Sequence, residues 1–225
     1  MPEHAAERTA SEPFYEQDGI TLYLGDCTKV LPWLEADVLV TDPPYGMRYE
    51  RHSRSRDRSV QEVTGDHDTS LRDAALALWG NRPALVFGSC RNNRPDCEQL
   101  LIWDKGEEAA MGHPVFFSAH EEVYVRGTGW IGPRRPNVIR VNGLARGGAL
   151  RKTLGHSTPK PVSLMQTLVR HCPPGIIADP FAGSGATLVA ARAEGRVAIG
   201  VEIEERHCEA IACRLAQGDL FGETA

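Results

Sequence analysis

Side chains that could do chemistry are concentrated in the stretch TDPPYG at 41–46, which directly follows the short apolar run ADVLV. Each proline fixes its own φ angle and restricts the residue before it, so the backbone of this stretch is rigid. An aspartate carboxylate, a proline carbonyl and an aromatic ring can therefore converge on one small volume. This arrangement predicts a pocket for a flat, polar molecule, with four candidate catalytic residues: Asp42, Pro43, Pro44 and Tyr45.

A second chemical feature is the stretch DPFAGSGATLVAA at 179–191. An apolar run ends at Asp179 and is followed by a glycine-containing turn and small residues, a pattern by which α/β folds bring backbone close to a nucleotide. It is not the dinucleotide fingerprint, because Leu188 stands where the third glycine would fall. Glu202 ends the next apolar run and could accept hydrogen bonds from both hydroxyls of a ribose. Together these features favour a nucleoside site over a plain strand-to-helix turn.

The elements that must position these residues are short apolar runs separated by helical or turn-rich stretches. The runs contain Val, Ile and Leu without strict alternation, which is typical of strands buried on both faces of a sheet. Alternating strands and helices predict a doubly wound, mostly parallel, Rossmann-like α/β sheet. The predicted strands are 21–26, 36–42, 84–88, 100–105, 121–127, 176–181 and 198–203, and the predicted helices are 69–80, 159–171, 185–194 and 204–216.

Charge is distributed unevenly along the chain, whose formal net charge is −5. No acidic residue lies between Glu122 and Asp179. The rest of the chain contains sixteen basic and thirty acidic residues. A second basic cluster, at 48–58, holds five arginines and two acids. Such runs are either solvated loops or polyanion-binding surfaces. The basic residues of the acid-free span are Arg126, Arg134, Arg135, Arg140, Arg146, Arg151, Lys152, Lys160 and Arg170.

Length and composition are those of an intracellular globular protein. The 225 residues suit one domain. No apolar run approaches the roughly 20 residues that a membrane span needs, and the first residues lack a signal-peptide core, so we expect a cytoplasmic protein. The six cysteines show no CxxC pair and no metal-type spacing with histidine, which predicts reduced thiols and no metal site.

In their order along the chain, these motifs resemble a known family. DPPY at 42–45, HSTPKP at 156–161, DPFAGSGAT at 179–187 and GVEIEERHCEAIACRL at 200–215 are similar to the DNA amino-methyltransferases that use S-adenosylmethionine and make N6-methyladenine or N4-methylcytosine. The catalytic motif precedes the glycine motif, as in the permuted beta group of that family. The resemblance covers most of residues 14–217.

The resemblance implies a fold and a cofactor site. It implies one methyltransferase domain over 1–225 with a circularly permuted, seven-stranded sheet, a mobile basic loop at 48–68, a target-recognition segment at 127–156 and a cofactor-binding half at 156–215. Glu202 would take the ribose, and Asp26 would reach the adenine amino group, although this aspartate could equally cap a turn. The implied cofactor-binding residues are Asp26, Thr158, Lys160, Asp179, Phe181, Gly183, Gly185 and Glu202.

The chemistry implied for the DPPY pocket is direct methyl transfer. Asp42 and the Pro43 carbonyl would accept hydrogen bonds from an exocyclic amino group and aim its lone pair at the methyl donor. The target base would be flipped out of the duplex and stacked on Tyr45. An aspartate at the start of the motif favours adenine N6; cytosine N4 is the alternative. A non-catalytic nucleotide-binding module and an RNA or protein-glutamine methyltransferase are less compatible with the intact motif, its order and the basic span.

The expected partner is double-stranded DNA. A role in restriction-modification would fit this expectation, whereas a homodimer and a partner restriction nuclease are left undecided by the sequence. Two basic residues of the acid-free span have other expected places, because Lys160 belongs to the cofactor-closing motif and Arg170 to a helix. The candidate DNA-binding residues are therefore Arg134, Arg135, Arg140, Arg146, Arg151 and Lys152.

Overall fold

The computed structural model describes residues 12–44, 68–106, 119–142 and 159–216. These residues form one nine-stranded sheet with the order β1-β2-β9-β8-β3-β4-β6-β5-β7. The strands are β1 (Tyr15–Gln17), β2 (Ile20–Leu24), β3 (Val38–Thr41), β4 (Ala84–Gly88), β5 (Gln99–Asp104), β6 (His120–Arg126), β7 (Val138–Arg140), β8 (Ile177–Asp179) and β9 (Ala198–Glu202). The α-helices are α1 (Ser70–Trp79), α2 (Val162–Val169), α3 (Ala186–Ala193) and α4 (Glu205–Ala216), and a 3₁₀ helix spans Pro32–Glu35.

The centre of the sheet is parallel. Strands β2, β9, β8, β3 and β4 run in one direction, and β6 is antiparallel to both of its neighbours, β4 and β5. From β8 the chain proceeds to β9 on one side, and from β3 it proceeds to β4 on the other side. The junction of β3 and β8 is therefore the topological switch point, where open α/β sheets bind their ligands beyond the carboxyl ends of the strands.

Each face of the sheet carries its own core. Helices α2, α3 and α4 cover one face with residues such as Leu164, Leu188 and Ile211. The 3₁₀ helix and α1 cover the other face, where the rings of Trp33 and Trp79 stack with centroids 5.8 Å apart. Because the central strands are buried on both faces, their sequences lack the alternation of a half-exposed strand. The predicted doubly wound, mostly parallel sheet is confirmed.

All seven predicted strands and all four predicted helices are present, but the described residues form nine strands rather than seven. The two strands missed by the sequence analysis, β1 and β7, are three-residue strands at the two edges of the sheet, where little apolar surface is buried. The predicted strands also ran one or two residues too far at Asp26, Asp42 and Phe181, which lie in the loops after β2, β3 and β8. Within the described residues, no helix has the length and apolar composition needed to cross a membrane.

Candidate active site

The two chemical motifs meet at the carboxyl ends of β3 and β8. The Thr41 hydroxyl donates a hydrogen bond to Asp179 Oδ1 over 2.7 Å, and the Phe181 N–H donates to the same oxygen over 3.2 Å. Residues 138 positions apart in sequence are thereby fixed side by side, and Asp42 immediately follows Thr41. The pocket at this junction is lined by Asp42, Lys160, Asp179, Phe181, Gly183 and Thr187.

Asp179 lies at the buried base of this pocket. Burial raises the pKa of its carboxyl group to about 6, and nearby Asp42 adds to this effect, although hydrogen bonds from Thr187, Thr41 and the Phe181 N–H favour the ionised form. The group is therefore anionic at neutral pH and becomes protonated in mild acid. A buried carboxylate of this kind can hold the ammonium group of an amino acid ligand.

Asp42 is engaged by a buried lysine. The ammonium group of Lys160, whose side chain is 6% exposed, forms ion pairs with the Asp42 carboxylate and with Glu121 Oε2, the latter at 3.2 Å. Pro43 is buried and Pro44 half-buried, so the backbone after Asp42 is held by packing as well as by its proline rings. The structure thus places Lys160 against Asp42, a contact that the sequence analysis did not predict. Tyr45 lies outside the described residues.

Glu202 organises the glycine turn after β8. Its carboxylate accepts hydrogen bonds from the Gly183 N–H at 2.7 Å and from the Glu204 N–H at 2.9 Å. Gly185 has a φ angle of 76°, and a Cβ atom there would lie 2.9 Å from Ile211 Cγ1, so both conformation and space require glycine. The turn leads into helix α3, whose first two residues, Ala186 and Thr187, line the pocket.

Asp26 lies on the same edge of the sheet, after β2. The preceding Gly25 N–H donates to the Glu202 carbonyl, which places this segment beside the end of β9. Asp26 Oδ1 accepts hydrogen bonds from the Thr28 N–H and hydroxyl, at 2.9 and 2.7 Å, and these bonds hold the pKa of the carboxyl below its usual value. The turn-capping role considered for Asp26 is therefore present, and its position beside Glu202 keeps it a candidate for the adenine.

The polar groups at this edge fit a ligand that carries an amino acid and a nucleoside. Asp179 offers a carboxylate, and Glu202 offers a carboxylate one strand further along. In the turn between them, the N–H groups of Ala182, Gly183 and Gly185 already donate hydrogen bonds within the protein. Phe181, Gly183, Gly185 and Lys160 lie around the same turn or pocket. Of the predicted cofactor residues, Thr158 alone lies outside the described residues.

The three predicted DNA-binding residues that the structure describes lie at two different edges of the sheet. Arg140 ends β7 at the edge that carries Asp42; its side chain is 79% exposed and its Nε lies 2.8 Å from Asp104 Oδ2. Arg134 and Arg135 lie near the opposite, amino edge: a Cβ atom at Gly132 would contact the ring of His171, and Asn137 precedes β7. The cause is β6, which runs antiparallel and carries the chain away from the pocket edge.

The assignment of the segment 127–156 to target recognition stays a prediction. In its described part, 127–142, the segment crosses from the amino edge to the carboxyl edge of the sheet. Arg146, Arg151 and Lys152 lie outside the described residues, as does the basic loop 48–68 except for Asp68.

Four residues of the site were not assigned a role by the sequence analysis. They are Thr41 and Thr187, which donate to Asp179, and Glu121 and Lys105, which extend the ion pairs of Lys160. Thr41 could have been found from its place beside Asp42. Glu121 could not, because its contact with Lys160 depends on how β6 is placed in the sheet.

The cysteines near the site are unsuited to nucleophilic chemistry. Burial raises the pKa of the Cys27 and Cys208 thiols to about 12, and nearby acidic groups favour the neutral form further. Both thiols are therefore protonated at neutral pH.

Comparison with known proteins points to one family. The family model N6_N4_Mtase, described as DNA methylase, matches residues 135–213. The Escherichia coli (strain K12) protein YubD, which carries the name methylase, is 32% identical over 212 residues, covering 85% of this chain and 88% of YubD. The type II methyltransferase M.ScaI of Streptomyces caespitosus is 24% identical, with 93% and 85% of the two chains covered.

Solved structures share the fold. The M1.HpyAVI–SAM complex superposes with a TM-score of 0.62 at 22% identity, covering 87% of this chain and 98% of that one. The cytosine-N4-specific PvuII DNA methyltransferase gives a TM-score of 0.64 at 17% identity, covering 92% and 90%. The sheet with its switch point is thus an architecture found in solved methyltransferases.

Proposed function

Because the chain belongs to the DNA methylase family of N6 and N4 amino-methyltransferases, we propose that it transfers a methyl group from S-adenosylmethionine to N6 of adenine in double-stranded DNA. The observation that carries this proposal is the placement of Asp42. Its carboxylate follows β3 at the switch point and shares a pocket with Asp179 and the glycine turn. An acceptor for an amino group and a site for a nucleoside cofactor thereby adjoin each other.

When bound, S-adenosylmethionine supplies an electrophilic methyl group on a sulfonium centre. Asp179 would hold the ammonium group of its methionine portion, beside Phe181 and Gly183 of the same pocket. Glu202 would accept hydrogen bonds from the ribose hydroxyls, and Asp26 would accept one from the adenine amino group. These assignments give each polar part of the cofactor a protein group of complementary charge or hydrogen-bonding character.

The protein's contribution to the transfer is to orient a weak nucleophile. The lone pair of an exocyclic amino nitrogen is delocalised into the base. Hydrogen bonds from the two amino hydrogens to Asp42 and to the Pro43 carbonyl localise that lone pair and direct it along one line, so catalysis comes from positioning and electrostatics. Such a pocket can take the base only after it leaves the duplex, and we assign the stacking face to Tyr45.

The choice of adenine is supported by Asp42 as the first residue of the DPPY motif. The fold does not separate the two bases, since a cytosine-N4-specific enzyme has the same architecture. The test is mass spectrometry of nucleosides from duplex DNA methylated by the purified protein. We expect N6-methyladenine. If N4-methylcytosine is the main product, the target is cytosine and the same mechanism applies to its amino group.

Cofactor affinity is expected to fall in mild acid because of Asp179. Its pKa of about 6 means that the carboxyl group loses its charge as the pH falls below this value, and a neutral carboxyl attracts an ammonium group poorly. The dissociation constant for S-adenosylhomocysteine, measured by calorimetry, should therefore rise by up to about tenfold per pH unit below pH 6.

The matched control for this pH effect is Asp179→Asn, which keeps the shape of the side chain. This variant should bind S-adenosylhomocysteine weakly at pH 8 and show no further loss between pH 7 and pH 5. A variant that kept the parent's pH dependence would assign the titrating group to another residue.

The DNA-facing edge is expected to be the one that carries Arg140. Each phosphate contact contributes a log–log salt slope of about −0.9 to DNA binding. Arg140→Ala should flatten the slope by about that amount. The double variant with Arg134→Ala and Arg135→Ala removes more charge from the opposite edge and should leave the slope unchanged. A flatter slope in the double variant alone would place the DNA along the amino edge instead.

A further inference from the structure

Behind Asp42 lies a line of four charged groups of alternating sign. Asp42 pairs with Lys160, Lys160 pairs with Glu121 Oε2 at 3.2 Å, and Glu121 Oε1 pairs with Lys105 at 2.6 Å. The four residues belong to four separate places in the fold: the loop after β3, the approach to α2, the second residue of β6 and the residue after β5. No single element of local structure dictates this arrangement.

We propose that Glu121 is a positioning residue for the methyl transfer, acting through Lys160 on the Asp42 carboxylate; this inference rests on the proposed function. Lys160 contacts Asp42 through Oδ2 and is shared with Glu121. The shared lysine holds the Asp42 carboxylate in one orientation. Because part of its charge is directed to Glu121, it does not fully neutralise Asp42 as an acceptor for the amino group.

Burial makes the pairing of Lys160 strong. Its surroundings include the ring of Phe87, whose centroid lies 5.1 Å from Nζ. Burial of an ammonium group favours its neutral form, but Asp42 and Glu121 keep the pKa of Lys160 above its usual value. Burial likewise favours a neutral Glu121, but Lys160 and Lys105 hold the pKa of its carboxyl below its usual value. Lys160 and Glu121 therefore both remain ionised at neutral pH.

Removal of the Glu121 charge has a defined consequence. Lys160 is shared between the carboxylates of Asp42 and Glu121. Without the Glu121 charge, it would pair with Asp42 more completely. Asp42 would then be a weaker acceptor for the target amino group, while the cofactor contacts of Asp179 and Glu202 would be untouched. Asp179 also faces Asp42 and opposes its negative charge, and this repulsion stays the same in the variant.

Glu122 provides a matched control next to Glu121. Its side chain is 2% exposed, against 17% for Glu121, and it faces the opposite side of β6, where it accepts hydrogen bonds from Arg94 and from the Tyr124 hydroxyl at 2.9 Å. If these two glutamates only stabilised the fold, substitution of either one would have a similar effect on kcat. A positioning role for the proposed transfer would appear only in Glu121.

The kinetic test compares Glu121→Gln with Glu122→Gln. Glu121→Gln should lower kcat for DNA methylation by about 10- to 100-fold with little change in the affinity for S-adenosylhomocysteine, because a misplaced reacting group costs up to about a hundredfold. Its acid limb of kcat against pH should move to lower pH, since Lys160 then favours the ionised Asp42 more strongly, and Lys160→Met should move this limb to higher pH. Glu122→Gln should leave kcat and the acid limb of its pH profile near those of the parent.

A thermodynamic cycle tests the same contact without activity. Asp42→Asn and Glu121→Gln each leave Lys160 one carboxylate, whereas the double variant leaves it neither. The double variant should therefore lose more stability in urea unfolding than the two single variants together. Additive losses, or a parent-like kcat and pH profile for Glu121→Gln, would overturn the positioning role. If the parent protein methylates no duplex DNA, the proposed function is overturned instead. The unfolding cycle would still test whether Asp42 and Glu121 are coupled through Lys160.

Discussion

Asp42→Asn is expected to reduce kcat for DNA methylation by at least about 10²- to 10³-fold, the loss seen when one preorganised polar contact at a reacting centre is removed. The amide keeps the size of the carboxylate but removes the charge that faces the amino group. Affinity for S-adenosylhomocysteine should remain nearly unchanged, because Asp42 is assigned to the target base. Single-turnover methylation and calorimetry measure the two quantities.

Two further variants sharpen this result. Asp42→Ala removes the acceptor entirely and should be at least as inactive as Asp42→Asn. Asp73→Asn removes one negative charge from α1, where the carboxylate pairs with Arg72, and should retain the parent's activity. An active Asp42 variant would remove the proposed acceptor mechanism. A large loss of cofactor affinity without loss of kcat would instead reassign Asp42 to the cofactor site.

The central part of the fold was accessible from the sequence because its determinants are local. Strands such as β4 and β9 are short apolar runs flanked by turns, and burial on both faces gives them a continuous apolar pattern. The edge strands β1 and β7 have no such determinant. With three residues each and little buried apolar surface, they form because a neighbouring strand offers hydrogen-bonding groups.

The site was accessible only in part, because strand direction decides which side chains meet. Asp42 and Asp179 could be placed together from motif order, since the carboxyl ends of parallel strands share an edge. Glu121 reaches Lys160 from the beginning of β6, because β6 runs in the opposite direction. The same reversal carries Arg134 and Arg135 to the far edge. The sequence shows that these residues are charged, but it does not show at which edge of the sheet each of them lies.

Among the proposed cofactor residues, Glu202 is the one whose substitution is expected to reduce cofactor affinity most. Hydrogen bonds to a charged acceptor contribute about 1.5–3 kcal/mol each, so loss of two ribose contacts in Glu202→Ala should weaken binding of S-adenosylhomocysteine by about 10²-fold or more. Glu202→Gln keeps an acceptor oxygen but not the charge and should fall between the alanine variant and the parent. Calorimetry at one pH and salt concentration gives the three affinities.

A purely structural effect of Glu202 must be separated from ribose binding, because its carboxylate also holds the Gly183 and Glu204 N–H groups. The sharper experiment therefore compares S-adenosylhomocysteine with its 2′,3′-dideoxy analogue in each variant. In the parent, the analogue should bind much more weakly, since it lacks both hydroxyls. In Glu202→Ala, the two ligands should bind almost equally, even if the turn at 182–185 is disturbed and both affinities are low. A preference for the hydroxylated ligand that survives in Glu202→Ala would place the ribose against another residue.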